Sequence, residues 1–247
     1  MENLVTYISL FGAVLFGGSI VFFLRPDADK GLKLLLAFSG AFLLAVSVLH
    51  LIPEVYGSVT VERIGLFVLA GFVLQLILEY FSEGIEHGHI HVHNHGGVSF
   101  PVMIMVSLCL HSFLEGMPLE REVHVGHDHG HDHSDYSLLM GIVLHKIPVA
   151  IALTTLLIKS GLSRGKTVLW LMVFACMAPL GTLVSHFCND ALTAQWAGFF
   201  DMTLAVVVGM FLHISTTILF ESVEGHRFNL LKFLTILVGV GIAILTI

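Results

Sequence analysis

The chain has 247 residues, 56% hydrophobic and 12% charged, with a mean hydropathy of +0.92. Soluble domains carry roughly 25% charged residues, so a soluble globular fold is excluded in favour of an integral membrane protein. The 18 acids and 11 bases give a formal charge of −7, which speaks against nucleic acid as a partner and leaves the lipid bilayer.

A spanning helix needs about 20 mostly apolar residues. Eight runs qualify in chain order: Leu4–Leu24, Leu32–Leu51, Val61–Phe81, Val98–Met117, Ser137–Ile158, Thr167–Phe187, Asp201–Glu221 and Phe228–Ile247. Backbone groups in lipid must bond within their own segment, so runs this apolar are helices. The expected fold is an all-α integral membrane protein, one polytopic domain over residues 1–247 with eight transmembrane helices. The N-terminus reads Met-Glu-Asn, without a basic leader, so the first run is expected to be a retained helix.

Basic residues set the orientation. Arg25, Lys30 and Lys33 follow helix 1, Lys159, Arg164 and Lys166 follow helix 5, and Arg227 and Lys232 follow helix 7. The opposite side has Arg63 and Arg121, so the first set is expected to be cytoplasmic and both termini extracytoplasmic, in a cell (inner) membrane. Gly40-Ala41-Phe42-Leu43 in helix 2 echoes Gly209-Met210-Phe211-Leu212 in helix 7. That short match hints at a 3+2+3 inverted-repeat bundle, with helices 1–3 and 6–8 as halves around helices 4 and 5.

Ten of the 16 histidines form two clusters. His87, His89, His91, His93 and His95 fall in the loop over residues 84–97, expected to be cytoplasmic, together with Glu83 and Glu86. His124, His127, His129, His131 and His133 fall in the loop over residues 120–136, expected on the outer side. Alternating His-x-His with Gly and Asp is a flexible metal-binding composition. It lacks the fixed four-ligand spacing of a structural zinc site. Cys109, Cys176 and Cys188 lie in apolar runs without a Cys-x-x-Cys pair and read as packing residues.

The chemistry concentrates in helices 4 and 5. His111 and Glu115 are four residues apart and share one helical face. An imidazole and a carboxylate at membrane depth are costly unless something binds them. Helix 5 carries His145 and Lys146 and then Pro148, whose missing N–H releases the carbonyl of Leu144. Imidazole nitrogens with one carboxylate suit zinc or another borderline first-row metal. Ser112 is a further candidate ligand beside them. Lys146 could pair with Glu115 or Glu79, or turn into a cavity. His50 and Glu54 flank Pro53 and read either as an interfacial helix end or as an entrance site. Glu79 and Glu83 are candidates for an exit path. His186 and His213 read as packing histidines.

These fragments together resemble the Zrt/Irt-like protein (ZIP) family of divalent metal transporters. The resemblance rests on eight helices, a histidine-rich loop between helices 3 and 4, His50-Leu51-Ile52-Pro53-Glu54, His111-Ser112-x-x-Glu115-Gly116, and His145-Lys146-Ile147-Pro148-Val149. It implies that His111, Glu115 and His145 are the metal ligands and that the central helices shift against helices 2 and 7. Three positions depart from the family pattern. Ser112 stands for an asparagine, Lys146 for a polar or acidic ligand of a second metal site, and Val149 for a bridging glutamate or histidine. Lys146 is therefore expected to replace the second metal site, since an ammonium offers no acceptor and repels a cation.

The leading function is a secondary importer of divalent transition metal, zinc first, with iron, manganese or cadmium as alternatives. Metal is the substrate here, not a resident cofactor. Two other classes compete: a membrane-embedded metalloenzyme, and a non-transporting metal sensor or chaperone. The chain carries no His-Glu-x-x-His motif and no phosphate-binding loop. It is thus read as not an enzyme and not driven by nucleotide. Glycine-rich helices leave room for a homodimer.

Overall fold

The structure is a computed structural model that describes residues 2–24, 28–57, 63–87, 101–119, 137–195, 198–221 and 230–246. Among these residues the chain forms helices without strands. We label them α1 (Glu2–Leu24), α2 (Ala28–Val46), α3 (Ile64–Ser82), α4 (Val102–Gly116), α5 (Ser137–Lys159), α6 (Arg164–Gln195), α7 (Phe199–Glu221) and α8 (Leu230–Thr246). Each answers to one of the eight apolar runs. Six are long and apolar enough to cross a bilayer, while α4 and α8 are apolar but shorter, at 15 and 17 residues. The protein is a multi-pass helical membrane protein.

Local chemistry explains where several helices end. α4 starts after Pro101, a residue suited to a helix start, and ends where Met117 N–H bonds back to the Leu114 carbonyl before Pro118. It is therefore shorter than the run Val98–Met117. α2 continues through a wide turn, Ser47–Leu51, in which Ile52 N–H bonds to the Ser47 carbonyl, and then through Ile52–Gly57. Pro53 supplies no N–H and crowds the carbonyl four residues back, so the wider turn accommodates it. His50 sits in that turn and Glu54 just beyond it.

α5 is the central element. It packs against α1 and α2, and buries 17 of its 23 residues, from Ser137 to Leu157. Around it the most extensive pairs are α3 with α7, α1 with α5, α2 with α8, and α4 with α6. Exchanging α1–α3 with α6–α8, and α4 with α5, maps the first of these pairs onto the third and the second onto the fourth. The pairing is thus the one a 3+2+3 repeat would give. Other contacts depart from it: among the described residues α3 packs on α4 and α5 on α6 without comparable α8–α5 and α4–α1 contacts, and α2 packs on α5 more extensively than α7 on α4.

Reciprocal glycines set two of these interfaces. A Cβ on Gly71 would overlap the Val206 carbonyl, and one on Gly209 the Val68 carbonyl, so α3 and α7 meet backbone to backbone. Gly116 and Gly181 do the same for α4 and α6, against the carbonyls of Ala178 and Phe113. Lipid gives apolar side chains little reason to cluster, so close backbone approach is what holds such pairs. The second interface anchors the end of α4 beside Glu115. Thr182 adds a bond from its hydroxyl to the Gly116 carbonyl, 2.8 Å.

Candidate functional site

His111, Glu115 and His145 come together. One donor atom from each lies within 4.8 Å of the others, and all three residues are buried. The i, i+4 spacing on α4 stacks His111 over Glu115, and the central position of α5 brings His145 opposite, its ring 6.3 Å from that of His111 and nearly perpendicular to it. Pro148 lies one turn beyond, inside a helix that continues through it.

The geometry between the first two is informative. His111 Nε2 and Glu115 Oε1 are 2.8 Å apart, yet their alignment is not that of a hydrogen bond. Zinc ligands in a tetrahedron lie about 3.3 Å apart, from metal–ligand distances near 2.0–2.1 Å. A sub-ångström opening of this pair would therefore admit such an ion.

Lys146 takes the other carboxylate oxygen. Its Nζ is 2.7 Å from Glu115 Oε2 and donates to Ser112 Oγ at 2.9 Å. The ammonium also faces the Phe174 ring, 5.4 Å from its centroid. Of the partners open to Lys146 in the sequence, the structure selects Glu115. The Ser112 hydroxyl accepts from Lys146. Lys146, Glu115 and Ser112 are all buried, so one carboxylate carries a cation on one oxygen and offers the other to the two imidazoles.

Two residues of this network were not singled out as site residues. Gln75, on α3, lies 2.9 Å by its Oε1 from His111 Nδ1, and its Nε2 donates to Glu86 Oε2 at 2.6 Å. Both side chains are fully buried. Gln75 is a lone amide in an apolar helix, a signal that was available. Glu86 opens the histidine-rich stretch, and its side chain is buried there. α3 ends at Glu83 and Gly84, both with positive φ (54° and 69°), and this reversal folds a turn over Ile85–His87 back against α3, α5 and α7. Glycine takes that conformation at no steric cost.

The remaining candidates are dispersed. His50 and Glu54 are half-buried at the end of α2 and do not join the three-residue cluster. His213 is buried on α7, its Nε2 3.3 Å from Glu79 Oε2 and its ring 4.8 Å from that of Phe72. It is a paired packing histidine, and Glu79 is its partner. His186 is exposed on α6, its ring 5.5 Å from that of Phe187. His87 ends the turn after α3. His89, His91, His93, His95, His124, His127, His129, His131 and His133 lie outside the described residues. Cys109 and Cys176 are free thiols.

Fold and site together define a class: a polytopic helical membrane protein with a buried imidazole–carboxylate cluster drawn from two helices, α4 and α5. A family model described as ZIP Zinc transporter matches residues 98–246, which include both of those helices. The zinc transporter ZIP1 of Danio rerio is 30% identical over 167 residues, covering 65% of this chain and 51% of that protein. The chain thus spans about half the length of this curated relative. It belongs to the ZIP zinc transporter family, as its motifs suggested.

Proposed function

We propose that this protein carries a divalent transition metal, zinc first, into the cytoplasm through a single site formed by His111, Glu115 and His145. The observation that carries the proposal is the convergence of these three buried donors within 4.8 Å. Two imidazoles and one carboxylate leave a fourth position for water, as a site that must release its ion requires. Membership of a transporter family supports flux over catalysis, so no enzymatic role is assigned.

In this reading the cluster holds one metal ion. The Lys146 ammonium stands where a second ion would need ligands, and Val149, 2% exposed, offers none. Ser112 serves Lys146 more directly than the metal. The path runs from His124–His133 outside, past His50 and Glu54, to the buried cluster and on to His87–His95 inside. It follows the successive levels assigned by the distribution of basic residues, with both termini outside.

Zinc uptake into proteoliposomes tests this. His111→Ala and His145→Ala should each reduce flux to the level of protein-free vesicles. Uptake at wild-type rate in both would remove the central cluster from the mechanism. Competition by iron, manganese and cadmium in the same assay ranks the substrates.

A further inference from the structure

We propose that Glu86 is a positioning residue for the metal site: through Gln75 it fixes which nitrogen of His111 is free to bind metal. The inference rests on the site reading above and deepens it. It follows from the hydrogen-bonding capacities of three buried side chains in sequence.

A carboxylate accepts hydrogen bonds and donates none. Glu86 Oε2 therefore selects the NH2 end of the Gln75 amide, 2.6 Å away. That separation is shorter than the usual N–H···O distance of about 2.9 Å, as charge-assisted bonds are. With its NH2 group committed to Glu86, Gln75 presents Oε1 to His111 at 2.9 Å. A carbonyl oxygen accepts only, so His111 Nδ1 must carry the proton. Nε2 is then the nitrogen left for the metal; it lies 2.8 Å from Glu115 Oε1, and any proton held between those two atoms is the one an incoming cation displaces. One charge, two bonds away, determines the ligand atom.

The fold supports this assignment. Glu86, Gln75 and His111 are at most 1% exposed, so water does not compete for these bonds. The reversal at Glu83 and Gly84 is what carries Glu86 from the end of α3 back to the level of Gln75. Buried beside a cluster that already holds the Lys146 ammonium, the Glu86 carboxylate also adds negative charge where a second cation must enter. Metal-binding histidines commonly need such a partner on the far nitrogen, and its loss costs roughly 10–100-fold in affinity.

The test uses the full chain in lipid nanodiscs with 15N-labelled histidine, metal-free and then titrated with zinc. His111 is assigned by the signal lost in His111→Asn. Wild type should show His111 protonated on Nδ1. Glu86→Gln keeps the shape but lets the Gln75 amide turn over, so a form protonated on Nε2 and not on Nδ1 should appear and zinc affinity should fall about tenfold. The exchanged pair Gln75→Glu with Glu86→Gln places a carboxylate directly on His111 Nδ1 and an amide behind it. It should restore both the tautomer and the affinity.

An unchanged tautomer in Glu86→Gln overturns the proposal, as does an exchanged pair no better than the single variant. The tautomer is read without metal. Failure of wild type to bind zinc would therefore count against the site itself and leave the relay to be judged by its own signal. A purely structural role for Glu86 predicts loss of folded protein in Glu86→Gln without a tautomer change, which also overturns it.

Discussion

Helices α3 and α5 are both unbroken apolar segments, of 19 and 23 residues, yet 22% of the spanning window of α3 is buried in the protein against 78% of that of α5. Leu66, Leu69, Val73, Leu76 and Tyr80 form an exposed stripe on α3. Gly71, Gln75, Leu78 and Ser82 form the opposite stripe, packed inward. On α5 the apolar residues face neighbours on nearly every side, and His145 and Lys146 sit among them. In lipid an apolar side chain is equally at home outside and inside. What distinguishes a site helix from a wall helix is its polar residues and the width of its buried face.

The sharpest way to break this comparison is to remove the α5 cation. Lys146→Met leaves the fully buried Glu115 without its ammonium partner. Removing one member of a buried pair costs about 3–5 kcal/mol, because the other charge stays in a dry site. The metal-free variant should unfold at a markedly lower temperature than wild type, and zinc should recover most of the loss by taking the place of the ammonium. A metal-free variant as stable as wild type would show that the pair does not hold the cluster together.

A second contrast tests the two helices directly. Leu153 on α5 is fully buried, while Leu69 on α3 is 59% exposed. Leu153→Ala should cost about 2–5 kcal/mol through lost packing and the cavity left behind. Leu69→Ala should stay within about 0.5 kcal/mol, as surface changes do. Thermal unfolding in a single detergent compares them. Equal losses would mean that the exposed stripe of α3 is covered by something other than lipid.

How far these features were legible from sequence differs in the same way between the two helices. All eight helices follow from runs of apolar residues, because the bilayer imposes both length and composition. His111 and Glu115 were legible because helical geometry fixes what four-residue spacing does, and His145 because an imidazole in an apolar run stands out. The partner of Lys146 was not, since Glu115 and Glu79 are both acids on neighbouring helices and only packing chooses between them. Packing gives Glu79 to His213 and Glu115 to Lys146. Glu86 was hidden for another reason. Its place depends on a reversal through two residues with positive φ, and in the sequence it opens a polar, histidine-rich stretch.

Smaller than the losses expected at Lys146 and Leu153 is the effect at the position on α5 where the family pattern has a ligand and this chain has Val149. The side chain is buried one turn beyond His145, on the helix that already supplies one donor. Val149→Glu adds a carboxylate that costs free energy when buried alone but is offset when metal is bound. Metal-free protein should therefore be destabilised and zinc-bound protein recovered. The half-saturating zinc concentration for uptake should fall by about tenfold, equivalent to ~1.4 kcal/mol. Lys146 sets the limit on this gain, because the new carboxylate can pair with the ammonium instead of the metal. Combining Val149→Glu with Lys146→Met separates the two: if Lys146 captures the added carboxylate, the double variant should bind zinc more tightly than either single one. An uptake curve for Val149→Glu that overlays wild type in both backgrounds would show that the α5 face at position 149 does not reach the metal, leaving His145 as the contribution of α5 to the site.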